Sequence, residues 1–173
     1  MISPKEIEYV LDSMTLIYDS REHQTEALIK RLEGTGFKYR RECLKFGDYT
    51  IEYEIDGQPY NLQNEIVIER KMGLDEICNN FTKKRKAFEN EFERATKAGA
   101  KVHLLIENAD YEKILSGNYR SQMNSNSLFS SIVAFSDRYN LTTHFCRPET
   151  TPILMNKLFR HHVKNKLEKE LLS

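Results

Sequence analysis

The feature that most constrains this chain is a short apolar run, Ile66 to Ile68, that ends abruptly in charge. An uninterrupted run of apolar, β-branched residues is typical of a central strand rather than a half-exposed one. The chain continues directly with Glu69, Arg70 and Lys71. Successive side chains of a strand point to opposite faces of the sheet. If the strand extends this far, Glu69 and Lys71 project together and Arg70 points the other way.

Helical and extended patterns alternate along the rest of the chain. Their order is helix, strand, helix, three strands including the central one, then helix, strand, helix, strand and helix. Asp56-Gly57 predicts a hairpin turn within the group of three strands. One long helix is predicted from about Leu74 to Lys97, because apolar residues recur there at helical spacing. This order predicts an α/β/α sandwich around a central mixed sheet, with antiparallel strands in the middle and helical crossovers later.

Composition limits the kind of protein this is. A chain of 173 residues can bury the core of one domain. Lys and Arg together number 26, as do Asp and Glu, so net charge excludes no class of partner. A local basic patch can still bind nucleic acid. Three widely spaced cysteines without a CxxC pair argue against a disulfide scaffold or a zinc knuckle. With no signal peptide and no apolar run of membrane-spanning length, we predict a cytoplasmic, intracellular protein.

Acidic residues accumulate where the predicted strands end. Asp19 and Glu22 follow the first strand, Asp48 enters a hairpin strand, and Glu69 closes the central strand. A hairpin can bring Asp48 and Glu69 together, and converging carboxylates repel each other unless a cation lies between them. Oxygen ligands without paired His or Cys suit Mg²⁺ or Mn²⁺ rather than zinc. A lysine at position 71 is placed to orient or deprotonate a water, or to stabilise charge on a phosphate.

These residues are the minimal set for metal-assisted phosphodiester hydrolysis, but their spacing alone is weak. An acid followed some distance later by E-x-K occurs by chance in many charged proteins. Taken alone, the pattern favours a strand that ends in solvent over a nuclease site. The charged end of the central strand therefore needs further sequence context.

The full signature supplies that context. The stretch FGDY and the later stretch IVIERKMGLDEI contain Gly-Asp, then Glu-Arg-Lys, three residues and Asp. This resembles the GD…ERKxxxD signature of the XPF family of structure-specific DNA endonucleases. The earlier stretch IYDSRE resembles the first catalytic strand of that family, and the similarity extends from about Thr15 to His161. It implies a restriction-endonuclease-like fold and a metal-dependent endonuclease that cuts branched, flap or fork DNA in repair or recombination.

The resemblance also implies roles for the acidic residues and the lysine. Asp48 and Glu69 would bind Mg²⁺ or Mn²⁺ directly. Asp19 and Glu22 would complete the acidic site, either directly or through water. Lys71 would act on the attacking water or on the scissile phosphate.

The other charged motif positions receive supporting roles. Arg21 and Arg70 would pair with acids or contact phosphate. Asp75 would brace Arg70 or Lys71, or cap the following helix, rather than bind metal. A basic run on the predicted long helix either is solvated or contacts the DNA backbone, and consists of Lys83, Lys84, Arg85 and Lys86. Of these four, Arg85 is the one we most expect to contact DNA, because the family tends to place an arginine near this point.

The chain departs from the family in one respect. Members with defined junction preferences usually carry tandem helix-hairpin-helix motifs after the nuclease domain, and no such pattern follows Arg147. We therefore expect a single stand-alone nuclease domain over residues 1–173, of the kind found in phages and bacteria. It comprises an N-terminal helix (1–13), a catalytic core (14–148) and a C-terminal helix (149–173). The resemblance therefore does not extend to a junction specificity.

Two further questions stay open at this point. Apolar residues of the last two helices either pack on the chain's own sheet or form the homodimer interface that the resemblance implies; they are Ile132, Phe135, Leu154, Leu158 and Phe159. The alternatives to an active nuclease are a non-catalytic module that docks DNA or a nuclease partner, and an effector of phage defence or anti-defence. Non-catalytic partners in the family usually lose the acidic motif residues, which this chain retains.

Overall fold

The computed structural model describes residues 3–172, which form one seven-stranded sheet with helices on both faces. The helices are α1 (Pro4–Ser13), α2 (Glu26–Gly34), α3 (Leu74–Phe81), α4 (Arg85–Ala98), α5 (Tyr111–Ser116), α6 (Ser125–Arg138) and α7 (Thr151–Leu172). The strands are β1 (Thr15–Asp19), β2 (Lys38–Glu42), β3 (Tyr49–Ile55), β4 (Gln58–Asn61), β5 (Ile66–Lys71), β6 (Lys101–Glu107) and β7 (Leu141–Cys146). No helix in this range is long and apolar enough to cross a membrane. Residues 1, 2 and 173, which the domain prediction includes, lie outside the described residues.

The sheet is mixed, as predicted. Its strand order is β2-β1-β3-β5-β6-β7, with β4 paired to β3. Strand β3 is antiparallel to β1, β4 and β5, whereas the pairs β1–β2, β5–β6 and β6–β7 are parallel. The segment from β2 to β5 holds four strands where three were predicted. Strands β2 and β4 are short and almost wholly exposed, so no apolar alternation marks them.

Alternation along the central strand divides the core into two layers. Ile66 and Ile68 pack with α1, α2 and α7, whereas Val67 packs with the helices α3 to α6 on the other face. By the same alternation, Glu69 and Lys71 point to the side of α3 and α4. Arg70 points to the side of α2 and α7, and ordered helices on both faces confirm the predicted sandwich.

The prediction of one long helix from Leu74 to Lys97 is wrong. Helix α3 ends at Phe81, a short turn follows, and α4 begins at Arg85. The rings of Phe81 and Phe88 pack edge to face across this break, with centroids 5.8 Å apart. Both helices thus cover the same face of the sheet, so hydrophobic spacing does not reveal the break. It leaves Lys83 in an exposed turn rather than on a helix.

Candidate active site

Three predicted site residues meet where β1, β3 and β5 come together. The backbone N–H of Asp48 donates to the carbonyl of Ile68 at 2.9 Å. Its carbonyl accepts from the N–H of Asp19 at 2.8 Å. Asp48, which directly precedes β3, is therefore hydrogen-bonded to the end of β1 on one side and to β5, the strand that carries Glu69, on the other.

Gly47 makes this junction possible. Its φ is +72°, a left-handed conformation that favours glycine. A Cβ atom at this position would lie 2.9 Å from the Cβ of Val67, closer than side chains tolerate. The absence of a side chain therefore lets the loop lie directly against β5, which sets Asp48 beside Glu69.

Glu69 and Lys71 form a buried ion pair at the end of β5. The Lys71 Nζ donates to Glu69 Oε1 at 2.6 Å, and the two residues are only 4% and 8% exposed. The second oxygen of Glu69, Oε2, is also buried, and no described residue donates a hydrogen bond to it. Burial raises the pKa of Glu69, and the charge of nearby Asp48 raises it further. Glu69 thus has one oxygen without a hydrogen-bond donor, at a place where a positive charge would stabilise the ionised carboxylate.

Lys71 remains a cation despite its burial. Burial alone would lower the pKa of its ammonium group. The carboxylates of Glu69 and Asp48 outweigh this effect and hold the pKa above its ordinary value. Lys71 is therefore protonated at neutral pH in this arrangement.

Asp48 lies beside this pair and is partly exposed. Its Oδ2 accepts a 2.7 Å hydrogen bond from the backbone N–H of Arg70. Burial raises the pKa of Asp48; the charge of Lys71 and this hydrogen bond offset part of the rise, while Glu22 and Glu91 add to it. Asp48 and Glu69 are thus two neighbouring carboxylates whose ionisation is disfavoured, which is the electrostatic setting that a bound cation relieves.

Asp19 lies at this edge but its oxygens already have donors. Oδ1 accepts from both the backbone N–H and Nε of Arg21, and Oδ2 accepts from Arg21 Nη2 and the N–H of Leu44. Burial would raise the pKa of Asp19, but these bonds outweigh it and lower the pKa. The predicted pairing of Arg21 with an acid is present in the structure. Asp19 holds the loop before Asp48 in place.

Glu22 and Arg70 contact residues on the opposite face of the sheet. The hydroxyl of Tyr49 donates to Glu22 at 3.5 Å and accepts from Arg31 at 2.9 Å. Arg70 forms two hydrogen bonds with Glu107, at 2.8 and 2.5 Å. The predicted carboxylate partner of Arg70 is thus present, and it comes from β6. Glu22 still affects the site, because its charge raises the pKa of Asp48.

Asp75 was predicted to brace Arg70 or Lys71, or to cap the following helix, and the structure places its side chain against another loop; no side-chain hydrogen bond caps α3. Its Oδ1 accepts hydrogen bonds from the backbone N–H groups of Arg120 and Ser121, at 2.8 and 2.9 Å. Asp75 thus anchors the loop between α5 and α6. Glu107 braces Arg70 instead, and Glu76 lies 3.9 Å from the Nζ of Lys71. The motif spacing could not separate these roles, because they depend on where distant loops pack.

Sequence reasoning missed Glu91, which lies on α4. Its Oε1 accepts a 3.1 Å hydrogen bond from the backbone N–H of Gly47. Its negative charge raises the pKa of both Asp48 and Glu69. Helical spacing alone gives no reason to single out this acid, since α4 carries several others.

The basic run lies at the start of α4 and in the turn before it. All four of its residues are exposed: Lys83, Lys84, Arg85 and Lys86. Arg85 is partly engaged, with its Nε 3.0 Å from Glu89 and its guanidinium 5.7 Å from the ring centre of Phe135. The two lysines of the turn are therefore more accessible to a phosphate backbone than the arginine we singled out.

The donor set fits a hard cation but does not form a complete cage. In the part of the chain that the structure describes, no three His, Cys, Asp or Glu side chains are grouped so that they could hold a metal ion. Asp48 and the unsatisfied buried oxygen of Glu69 provide two carboxylates at one point. Mg²⁺ is commonly held by one or two carboxylates and keeps several waters. The residues present therefore fit Mg²⁺ or Mn²⁺ with a large share of its ligands supplied by water.

Comparisons with known proteins agree with this fold. XPF from Aeropyrum pernix is 19% identical with a TM-score of 0.61, over 84% of this chain and 65% of that one. XPF from Aeropyrum pernix in complex with DNA is 18% identical with a TM-score of 0.63, over 87% of this chain and 66% of that one. The chain thus spans just under two thirds of these structures. At this identity the likeness shows the fold, and it confirms the restriction-endonuclease-like architecture.

The family assignment rests on the sequence. No curated protein matches the chain. Residues 18–155, however, match the model of the ERCC4 domain, and this range contains the ends of β1 and β5 and the whole cluster around Asp48. The resemblance to the XPF family is thus confirmed, and the chain belongs to the ERCC4 domain family.

Proposed function

We propose that this protein is a divalent-metal-dependent DNA endonuclease that hydrolyses phosphodiester bonds in branched, flap or fork DNA. One observation carries the proposal: the partly exposed Asp48 and the unsatisfied buried oxygen of Glu69 lie beside a protonated Lys71. Membership of the ERCC4 domain family and the fold shared with an XPF that was solved with DNA give further support.

Asp48 and Glu69 are the residues that would hold Mg²⁺ or Mn²⁺. When bound, such an ion neutralises the two carboxylates and supplies an activated water. The bonds around Asp19 suit an indirect role, because its oxygens already accept from Arg21 and Leu44. Of the two roles that the sequence left open for Asp19, contact through water is the one that this geometry favours.

Lys71 stabilises the negative charge that develops on the scissile phosphate. Its ammonium group is protonated and fixed by the bond to Glu69, so it is positioned before substrate binds. A protonated lysine is a poor general base, which argues against the alternative that Lys71 deprotonates the attacking water. The side chain of Arg21 is 61% exposed and offers a further contact for a phosphate next to the cleaved bond.

The DNA backbone lies against the exposed basic run that begins at Lys83. Contacts from such side chains position the substrate without reading its sequence. They do not explain a preference for forks or flaps, which would come from a homodimer or from a second protein.

A substrate panel tests the proposal. We expect cleavage of one or more of single-stranded, duplex, flap, fork and four-way-junction DNA with Mg²⁺ or Mn²⁺. Asp48→Asn and Glu69→Gln should each reduce the rate by about 10²-fold or more. Glu54→Gln, at an exposed position of β3, is the matched control and should cleave like the wild type. Cleavage that survives both site substitutions would disprove the proposal.

A non-catalytic module that docks DNA is the second candidate. It is favoured by one observation: within residues 3–172 no three-residue metal cage is already formed. This alternative predicts that the protein binds forked DNA but cuts none of the panel with any divalent metal.

A further inference from the structure

We propose that Glu91 of α4 is the third carboxylate of the cation site, and that it binds the cation through a coordinated water. The inference rests on the proposed function and extends it to a residue outside the sequence signature. Two kinds of observation support it: the position of Glu91 at the junction of β3 and β5, and the charge of the site.

A hydrogen bond to the backbone holds Glu91 at the junction. Its Oε1 accepts from the N–H of Gly47 at 3.1 Å, and Gly47 immediately precedes Asp48. Because Gly47 lies directly against Val67, this amide faces the side of β5 that carries Glu69. The neighbour Phe92 is buried in the core beneath the same face, which fixes α4 in place.

The waters that would complete the coordination of the cation need acceptors, and Glu91 is placed to be one of them. One oxygen of Glu69 is bonded to Lys71, and the other is buried without a partner among the described residues. Mg²⁺ prefers six oxygens and retains waters, so a nearby carboxylate that accepts from those waters strengthens binding. Among residues 3–172, the side chain of Glu91 accepts a hydrogen bond only at Oε1, which leaves Oε2 available for this role.

The charges of the site point in the same direction. When Asp48 and Glu69 are ionised, they and Glu91 carry three negative charges, and Lys71 carries one positive charge. Asp19 is paired with Arg21, while Glu76, 3.9 Å from the Nζ of Lys71, adds a further negative charge, so the net charge on this side of β5 is negative. A divalent cation would offset it.

The test compares cation binding in two glutamate-to-glutamine variants in the absence of DNA. Glu91→Gln keeps an oxygen that accepts from Gly47 but removes the charge. Glu93→Gln makes the same change two residues along the same helix and serves as the control. We expect Mn²⁺ affinity, measured by titration calorimetry and by Mn²⁺ electron paramagnetic resonance, to fall about 10- to 100-fold in Glu91→Gln. Glu93→Gln should stay within about twofold of the wild type.

A second variant guards against a folding defect. Glu91→Asp retains the charge on a shorter side chain, so it should bind Mn²⁺ more tightly than Glu91→Gln and more weakly than the wild type. With a chelator, the melting temperature of Glu91→Gln should be no lower than that of the wild type, while added Mn²⁺ should raise the melting temperature of the wild type more. Wild-type affinity in a folded Glu91→Gln protein would overturn the inference.

The outcomes also separate this inference from the proposed function. If Glu91→Gln binds Mn²⁺ like the wild type and the wild type cleaves DNA, only the inference fails. If the wild type binds Mn²⁺ through Glu91 but cleaves no substrate, only the proposed function fails. If the wild type binds neither Mn²⁺ nor Mg²⁺, both fail.

Discussion

At the scale of single residues, the ionised forms of Asp48 and Glu69 destabilise the metal-free protein. Burial raises the pKa of both carboxylates, and nearby acids raise it further: Asp48 acts on Glu69, and Glu22 and Glu91 act on Asp48. Active sites commonly hold such groups ready for a ligand at some expense of stability. The free energy of unfolding of the metal-free protein therefore depends on pH, and this dependence can be measured without substrate.

We expect Asp48→Asn to stabilise the metal-free protein at high pH. The folded-state pKa of Asp48 is raised above its ordinary 3.8. Folded protein therefore keeps a proton that the unfolded chain has lost, and this contribution to stability disappears as pH rises through the folded pKa. The variant should match the wild type near pH 4 and exceed it by about 1 kcal/mol above neutral pH. Urea unfolding with a chelator, at about pH 4 and pH 8, measures the difference.

The amide keeps an oxygen that accepts from the N–H of Arg70, so the comparison isolates the charge. Glu54→Asn, at an exposed position of the same strand, should show no such pH-dependent gain. A variant at position 48 that is less stable than the wild type at high pH would show that the carboxylate is already neutralised by its surroundings.

The sequence allowed us to predict contacts between site residues that are close together in the chain. Glu69 and Lys71 are two positions apart on one strand, and strand alternation alone places them together. Glu91 and Glu107 were not foreseen, because their contacts with Gly47 and Arg70 join elements far apart in the chain. No periodicity within α4 or β6 encodes which acid will meet a distant loop.

At the scale of elements, the break between α3 and α4 changes the setting of the basic run. In a continuous helix its four side chains would be spread around the helix axis. In the structure, Lys83 and Lys84 occupy a turn and lie outside both helices. An exposed turn carrying two lysines suits contact with a phosphate backbone.

We expect the double variant Lys83→Gln, Lys84→Gln to bind DNA more weakly and with less dependence on salt. Each phosphate contact that is lost should reduce the slope of log affinity against log salt concentration by about 0.9. Fluorescence anisotropy with a labelled fork and a chelator, over a range of KCl, measures this slope. Lys97→Gln, exposed near the other end of α4, is the control and should leave the slope unchanged. An unchanged slope in the double variant would show that the turn is solvated even in the complex.

The elements that were predicted well are those with a buried face. The predicted helices α1, α2, α6 and α7 are present, and Asp56-Gly57 forms the predicted hairpin turn between β3 and β4. Apolar spacing missed α5, a helix of six residues held by a cap from Asp110, and it merged α3 with α4. Strand β4, Gln58–Asn61, is fully exposed and has no apolar pattern to detect. Local sequence patterns thus predict elements that have a buried face, and they do not predict short exposed elements.

At the scale of the whole molecule, the apolar residues that suggested a homodimer have another explanation. Ile132, Phe135 and Phe159 are at most 3% exposed and lie in the chain's own core. They occupy the two opposite layers, since α6 and α7 cover different faces of the sheet. Packing within one chain accounts for them. A homodimer, if it forms through these helices, must use the residues that remain exposed.

We expect such a homodimer to bury Val133 of α6 and Ile153 of α7, which are 42% and 53% exposed. Val133→Asp and Ile153→Asp should then each dissociate it, because a charge would be buried at the interface. Sedimentation velocity over a range of protein concentrations measures the change. Leu115→Asp, at a position of α5 that is 61% exposed, is the control. A wild type that sediments as a monomer at every concentration would contradict the dimer prediction.

The two-layer core confirms the fold class that the order of helices and strands predicted. The family assignment needed more than this order, because many α/β/α proteins share it. It depended on three short motifs, which the fold brings to one edge of the sheet around Asp48. Sequence and topology thus supply different parts of the identification.

The alternation of Glu69, Arg70 and Lys71 has a consequence for how this chain can change over time. Deleting or inserting one residue between Ile68 and Lys71 would exchange the faces of all side chains beyond that point. Lys71 would then face Glu107. The position beside Asp48 would hold the guanidinium of Arg70 after an insertion, or an apolar side chain after a deletion. This segment therefore cannot change in length without losing the site, whereas surface loops generally tolerate insertions.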